Sequence, residues 1–248
     1  MDLVSVIIPY HKKRNFVSET LKSVINQSYD NLEVIIIYDD TNLNDFEFLQ
    51  NIAKIDKRIK IIKNDIQLGA GFSRNIGIER CNGKYIAFLD ADDTWDIDKL
   101  KSQILFMKQN NYKISHTSYY IMDKKKKITG QRKARNILSI KDILKSCDIG
   151  LSTVVLEKNI IVHNNIKFPQ LVTKEDFVFW LLILKKKYKF YAYDKYLTNW
   201  IDLKNSLSSS TIQKLKDGFR VYYLHMNFNF FKSLYFLFCL SINFILKK

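Results

Sequence analysis

An α/β fold, with a mostly parallel central sheet flanked by helices and a C-terminal helical segment, is predicted by three observations. Two β-branched runs, Val4–Pro9 and Leu32–Tyr38, are nearly continuous in apolar residues and enclose a stretch of helical spacing, the βαβ pattern of a parallel sheet. The second run ends abruptly in Asp39-Asp40, and a later one, Tyr85–Leu89, ends in Asp90-Ala91-Asp92-Asp93, so acids gather where ligands of open α/β sheets bind. The 248 residues, 47% hydrophobic and 14% aromatic with only 7 Gly and 2 Pro, suit one large core and exclude disordered or collagen-like chains.

Val4–Pro9 is stopped by proline, and the charges of His11-Lys12-Lys13-Arg14 belong on a loop. Phe16, Val17, Leu21, Val24 and Ile25 recur at helical spacing until Gln27–Asn31 ends the pattern. After the second strand, a helix is expected over Asp45–Lys57, a short strand over Ile59–Ile62 and a helix over Phe72–Arg80. Gly69-Ala70-Gly71 is not a dinucleotide fingerprint, because Arg74 holds the third glycine position and the segment does not directly follow the first strand.

The stretch Gly83–Trp95 places three carboxylates within four positions. Two ionised carboxylates about 4 Å apart repel by roughly 4 kcal/mol at an effective dielectric near 20, so such a cluster asks for a cation. The alternative is an acidic turn that caps a helix beginning near Asp96. Lys99–Asn110 reads as a helix, Ile114–Met122 as a strand, Lys124–Lys127 as a solvated hairpin tip, Ile137–Cys147 as a helix and Leu151–Leu156 as a strand, with Ser152 and Thr153 facing a cleft. Thr173–Asp176 leads into the unbroken apolar run Phe177–Leu184, a buried helix whose opening acids either do chemistry or favour the helix dipole, an effect of about 0.3–1 kcal/mol.

The net charge of +15 indicates an anionic partner, and lipid or nucleotide phosphate fits better than specific nucleic acid, for which no reading motif is present. Cys81, Cys147 and Cys239 are widely separated and suggest neither a disulfide framework nor a zinc site, so a reducing cytosol is expected. The N-terminus lacks the long apolar core of a secretion signal. In the tail from Phe228, Phe230, Phe231, Leu234, Tyr235 and Phe238 form a helical stripe beside Lys232; an in-plane membrane helix, a helix packed on the domain and a span are the three options.

Taken in order, Val4–Pro9, Ser28-Tyr29 before Leu32–Ile35, Asp39-Asp40, Ser73–Gly77 and Gly83–Trp95 resemble the family 2 inverting glycosyltransferases of the GT-A fold. The resemblance covers roughly the first hundred residues and resumes at Thr173–Trp180 and Asn205–Ser208. It implies a Rossmann-like, nucleotide-binding GT-A domain over residues 1–220, divided into a nucleotide-sugar-binding half (1–110) and an acceptor half (111–220); residues 221–248, read from their own pattern, form an amphipathic segment for which membrane association is one of the three options above. It places Pro9, Tyr10, Asp39 and Asp40 around the nucleoside, with Asp40 the preferred uracil contact, and Arg74 near base and diphosphate. Asp92 is the implied ligand of Mn²⁺ or Mg²⁺, Asp90 lies toward the ribose, and Asp176 is the general base.

His11-Lys12 and Ile201 depart from the family pattern, which usually has Tyr-Asn at the first place and often an arginine at the second, and Lys204 is the substitute suggested there. The implied activity is inverting transfer of a hexose or N-acetylhexosamine from a nucleotide sugar, a UDP-sugar being expected, to a glycan or lipid-linked acceptor in surface polysaccharide assembly. The enzyme would work in the cytoplasm, peripherally at the inner face of the membrane. The competing readings are a catalytically silent nucleotide-sugar or membrane-surface binder, and nonspecific nucleic-acid binding with steep salt dependence.

Overall fold

In the computed structural model, which describes residues 1–203 and 210–246, the two β-branched runs form the centre of a nine-stranded sheet. Strand β1 (Val4–Tyr10) lies parallel between β2 (Leu32–Tyr38) and β4 (Tyr85–Phe88), and β3 (Ile59–Lys63) lies parallel outside β2. Side chains alternate across the sheet, so each run feeds two cores. Val4, Val6, Ile8 and Tyr10 pack with α1 (Arg14–Ile25), α2 (Leu43–Ala53) and α4 (Lys99–Gln109), whereas Ile7, Ile35, Ile86 and Phe88 pack with α3 (Ala70–Arg80), α5 (Lys158–His163) and α6 (Glu175–Lys185). Helix α3 comes so close to β1 that a Cβ on Gly77 would stand 2.5 Å from Ile7 Cγ2. That approach sets Arg74, one turn earlier, over the sheet's edge.

Beyond β4 the pairing turns mixed. Strand β8 (Val155–Glu157) runs antiparallel to β4; β6 (Ile114–Met122) is antiparallel to β8 and to β7 (Ile128–Arg132) and parallel to β9 (Tyr191–Ile201); β5 (Thr94–Trp95) is antiparallel to β9. The acidic turn Asp90–Asp93 leaves β4 beside this change of direction, where an open sheet forms a crevice.

Two predicted elements differ. Over Ile137–Cys147 there is no α-helix, only the single 3₁₀ turn Ile140–Asp142, because Ile137 is bonded to Phe190 as a bridge and the Asp142 carboxylate takes the N–H groups of Leu138 and Ser139. Ile137, Ile143 and Leu144 still reach the core, so the apolar spacing is met without a helix. Over Leu151–Leu156 the first three residues form a 3₁₀ turn and only Val155–Glu157 is strand, since Ser152 is drawn to the acidic turn. The chain closes with α7 (Thr211–Arg220), a π-helical turn (Val221–His225) and α8 (Phe230–Leu246). Lys204 and Asn205–Ser208 lie outside the described residues.

Candidate active site

Two groups of predicted residues meet the C-terminal edge of the parallel strands. The first follows β2. Asp39 is buried, and its carboxylate accepts the N–H groups of Leu68 (2.8 Å) and Gly69 (2.7 Å) and the Asn64 amide (2.7 Å). Gly69, at φ +86°, is the residue from which α3 starts, so Asp39 fixes the entry of the helix that carries Arg74. Asp40 accepts the N–H groups of Lys12 (2.9 Å), Thr41 (2.7 Å) and Asn42 (3.3 Å). Burial opposes its ionisation, but those N–H groups outweigh it and hold the carboxyl below the usual range. His11, the departure from the family pattern, sets Nδ1 3.0 Å from the Asp39 carbonyl oxygen and 3.7 Å from the Asp40 carboxylate.

Pro9 lies at the end of β1 opposite Ile37, and Tyr10 is fully buried. The Tyr10 ring stacks on Tyr38 at 5.3 Å and its hydroxyl donates to Asp45 at 2.7 Å, so the side chain forms packing beneath the site.

The second group joins three distant segments. The Arg74 guanidinium donates to Asp90 (2.7 Å) and to Glu175 (2.9 Å), and sits 5.5 Å over the Phe168 ring, nearly closed to solvent, with its buried Nε unpartnered among the described residues. Burial, opposed by Arg74 and reinforced by Asp176, raises the Glu175 carboxyl. Asp176 bonds the Phe177 N–H at 2.7 Å. Its carboxyl too is raised, chiefly by burial and in part by the Asp90 charge, against the pull of Lys174, the Phe177 N–H and Arg74. Lys174, at φ +68°, supplies the left-handed kink from which α6 starts. The half-buried Cys147 thiol, raised by desolvation and by the Asp176 charge, borders the same acid.

Asp92 is in direct contact with the Lys13 ammonium, and burial together with the Asp90 charge raises its carboxyl despite that partner. Asp93 is fully enclosed: Ser152 Oγ and the Ile201 N–H donate to it, and burial with the charges of Asp92 and Asp90 raises its carboxyl far above the ordinary value. Ser152 Oγ also accepts the Asp90 N–H at 3.1 Å, so one hydroxyl ties the start of the acidic turn to its end. These acids do not cap the helix that follows; the Leu100 N–H of α4 is taken by Gln27 Oε1 at 2.9 Å.

Lys13 and the backbone of Ile201 were not assigned to the site by sequence reasoning, and Ser152, expected to face a cleft, bonds the acidic turn. Ser152 carried a signal, a polar residue inside an apolar run, and Lys13 lay in the basic loop after β1. Ser152→Ala removes the hydroxyl from between Asp90 and Asp93, and should cost about 1–3 kcal/mol. The expected readout is a melting temperature lower by several degrees, at about 2–4 °C per kcal/mol for a chain of this size. An unchanged melting temperature would remove the hydroxyl from this role.

The donor set fits a hard divalent cation. Asp90 and Asp92 offer oxygen ligands in a crowded acidic turn whose charge is met by the side-chain cations Arg74 and Lys13. Among the described residues no three His, Cys, Asp or Glu side chains converge into a full cage.

A family model described as Glycosyl transferase family 2 matches residues 5–162. The chain is 34% identical over 221 residues to the putative teichuronic acid biosynthesis glycosyltransferase TuaG of Bacillus subtilis, covering 89% of this chain and 87% of that one. It is 37% identical over 189 residues to the UDP-Glc:alpha-D-GlcNAc-diphosphoundecaprenol beta-1,3-glucosyltransferase WfaP of Escherichia coli, covering 76% of this chain and 73% of that one. Among solved structures, S. aureus TarS 1-349 in complex with UDP-GlcNAc superposes with a TM-score of 0.74 at 20% identity, over 91% of this chain and 65% of that one. The mannosyltransferase PcManGT from Pyrobaculum calidifontis, in complex with GDP-Man and Mn²⁺, gives 0.68 at 13% identity, over 91% and 64%. The fold is of the GT-A type. With a family model matched over more than half its length and two relatives above 30% identity, the chain belongs to glycosyl transferase family 2.

Proposed function

We propose that this chain transfers a hexose or N-acetylhexosamine from a UDP-sugar to a lipid-linked or growing glycan acceptor, with inversion at the anomeric carbon, in surface polysaccharide assembly. The observation that carries the reading is the meeting of Asp90, Arg74, Glu175 and Asp176 from three separate segments beside Asp92. The names of WfaP and TuaG support a UDP donor, a diphosphate-lipid acceptor and a polysaccharide product.

In this reading residues 1–110 bind the donor, with Pro9, Asp39 and Asp40 framing the uracil pocket and Tyr10 as its floor. Residues 111–220 receive the acceptor. Asp176 takes the proton of the acceptor hydroxyl as that oxygen bonds the anomeric carbon and the bond from carbon to the diphosphate oxygen breaks, releasing UDP. Arg74 spreads positive charge toward the departing diphosphate, and Glu175 holds its guanidinium in place. Asp92, with Asp90 beside it, would hold Mn²⁺ or Mg²⁺, which when bound offsets charge on the leaving diphosphate. Lys13 would yield its place on Asp92 to that cation.

A panel of UDP- and GDP-sugars with and without Mn²⁺ tests the reading. Mn²⁺-dependent release of UDP from at least one UDP-sugar is expected, rising when a diphosphate-lipid saccharide is added. Binding of UDP with no turnover on any acceptor would favour the silent binding protein instead.

A further inference from the structure

Helix α8 is apolar on two faces, and among the described residues only one of them is packed into the core of the fold. Ser233, Phe236, Leu237 and Leu240 form the inner face: Phe236 stacks on Tyr222 at 5.5 Å, and Leu237 meets α7 where a Cβ on Gly218 would come within 2.8 Å of it. Phe231, Leu234, Tyr235, Phe238, Ile242 and Ile245 recur at steps of three and four on the outer face, all exposed, Phe231 by 81% and Phe238 by 65%. A helix apolar on every side is stable only when both faces are covered.

Charge identifies the cover. Residues 219–248 contain no Asp or Glu, and the described lysines border the stripe, Lys145 Nζ standing 5.6 Å from the Tyr235 ring centre and Lys232 Nζ 4.0 Å from that of Phe228. An apolar stripe edged by cations and free of acids matches an anionic bilayer surface, where rings enter the acyl boundary and ammonium groups meet phosphate. Among the described residues no helix is long and apolar enough to cross a membrane, and the inner face of α8 is packed against the fold, as suits a helix lying in the membrane plane.

We infer that the outer face of α8 is the docking surface for an anionic lipid bilayer, with the helix lying in the membrane plane. The inference rests on the lipid-linked acceptor proposed above and gives that proposal an orientation. Helix α7, which packs on α8, carries the buried Asp217, whose Oδ2 accepts both the N–H and the hydroxyl of Thr173 at 3.0 Å. Thr173 stands three residues before Asp176. The lipid-facing helix and Asp176 are therefore held in one packed unit, which sets the height of the proposed base above the headgroups.

The full chain, sedimented with vesicles of phosphatidylcholine alone or mixed with phosphatidylglycerol, provides the test. Binding to the anionic vesicles, weak binding to the neutral ones, and at least a tenfold lower partition for Phe231→Glu/Phe238→Glu are expected. Lys232→Gln should lose roughly fivefold, the share of one cation at an anionic surface. The melting temperature of each variant shows that the fold is kept, because these side chains point outward. Equal sedimentation of the double variant and the wild type overturns the inference, as does equal wild-type binding to both vesicle types. A wild-type dimer that ignores vesicles and becomes a monomer in the double variant also overturns it and makes the face a subunit contact. UDP-sugar turnover in solution is read separately, so loss of turnover with intact vesicle binding defeats the proposed function and leaves the docking surface standing.

Discussion

Asp176→Asn is expected to bind UDP like the wild type and to transfer sugar about 10²–10⁴-fold more slowly, with donor KM little changed. The substitution keeps the size of the side chain and an oxygen for the Phe177 N–H, but removes the only function an acceptor hydroxyl needs from it. The pH dependence checks the same assignment. Burial raises the Asp176 carboxyl above its ordinary value, and the group works as a base only when ionised. Turnover should therefore fall as pH drops through a value above the usual carboxylate range of about 4, and Asp176→Asn should flatten that limb. Near-wild-type turnover by Asp176→Asn would exclude this residue as the base and make Glu175 the next to test, although Glu175 is already engaged with Arg74.

The parallel half of the sheet and the acids at its edge were legible because buried parallel strands are written as unbroken apolar runs, and such runs end visibly. Val4–Pro9, Leu32–Tyr38 and Tyr85–Leu89 all fall where expected. Tyr10 is buried and stacked on Tyr38, a placement that follows from the strand's alternation. Side chains alternate along β1, so Pro9 and Tyr10 face opposite sides of the sheet, and the larger ring goes to the core. Helical spacing misled at Ile137–Cys147, because three apolar residues can reach one core from a 3₁₀ turn and a bridge as well as from a helix.

Most of what was missed is joined over long stretches of chain. Lys13 meets Asp92 across 79 positions, and Ser152 meets Asp93 across 59. Neither contact leaves a local pattern, since a lysine in a basic loop and a serine in an apolar run look the same whether or not an acid waits opposite. Ile201 was flagged for the arginine it lacks, yet its contribution is a backbone N–H to Asp93, which any residue but proline could supply.

Asp92→Ala should abolish the Mn²⁺-dependent part of UDP affinity and lower transfer by on the order of 10²–10³-fold, the cost of losing one source of charge stabilisation at the leaving group. Stability should move the other way. The folded protein raises the Asp92 carboxyl above its unfolded value, chiefly through burial, so the ionised form costs free energy once pH is above that raised value. Asp92→Asn removes this cost and eases the crowding on Asp90 and Asp93, while Lys13, partly open to solvent, can be hydrated when its partner is neutral. Without metal, Asp92→Asn should therefore melt at the wild-type temperature or above it at neutral pH, and the difference should vanish in acid as the native carboxyl takes up its proton. Titration calorimetry with UDP in the presence and absence of Mn²⁺, together with melting curves at two pH values, separates the two effects. If Asp92→Ala keeps the full Mn²⁺ dependence of UDP binding, Asp92 is not the metal ligand; if Asp92→Asn melts well below the wild type, the acid serves the fold through Lys13.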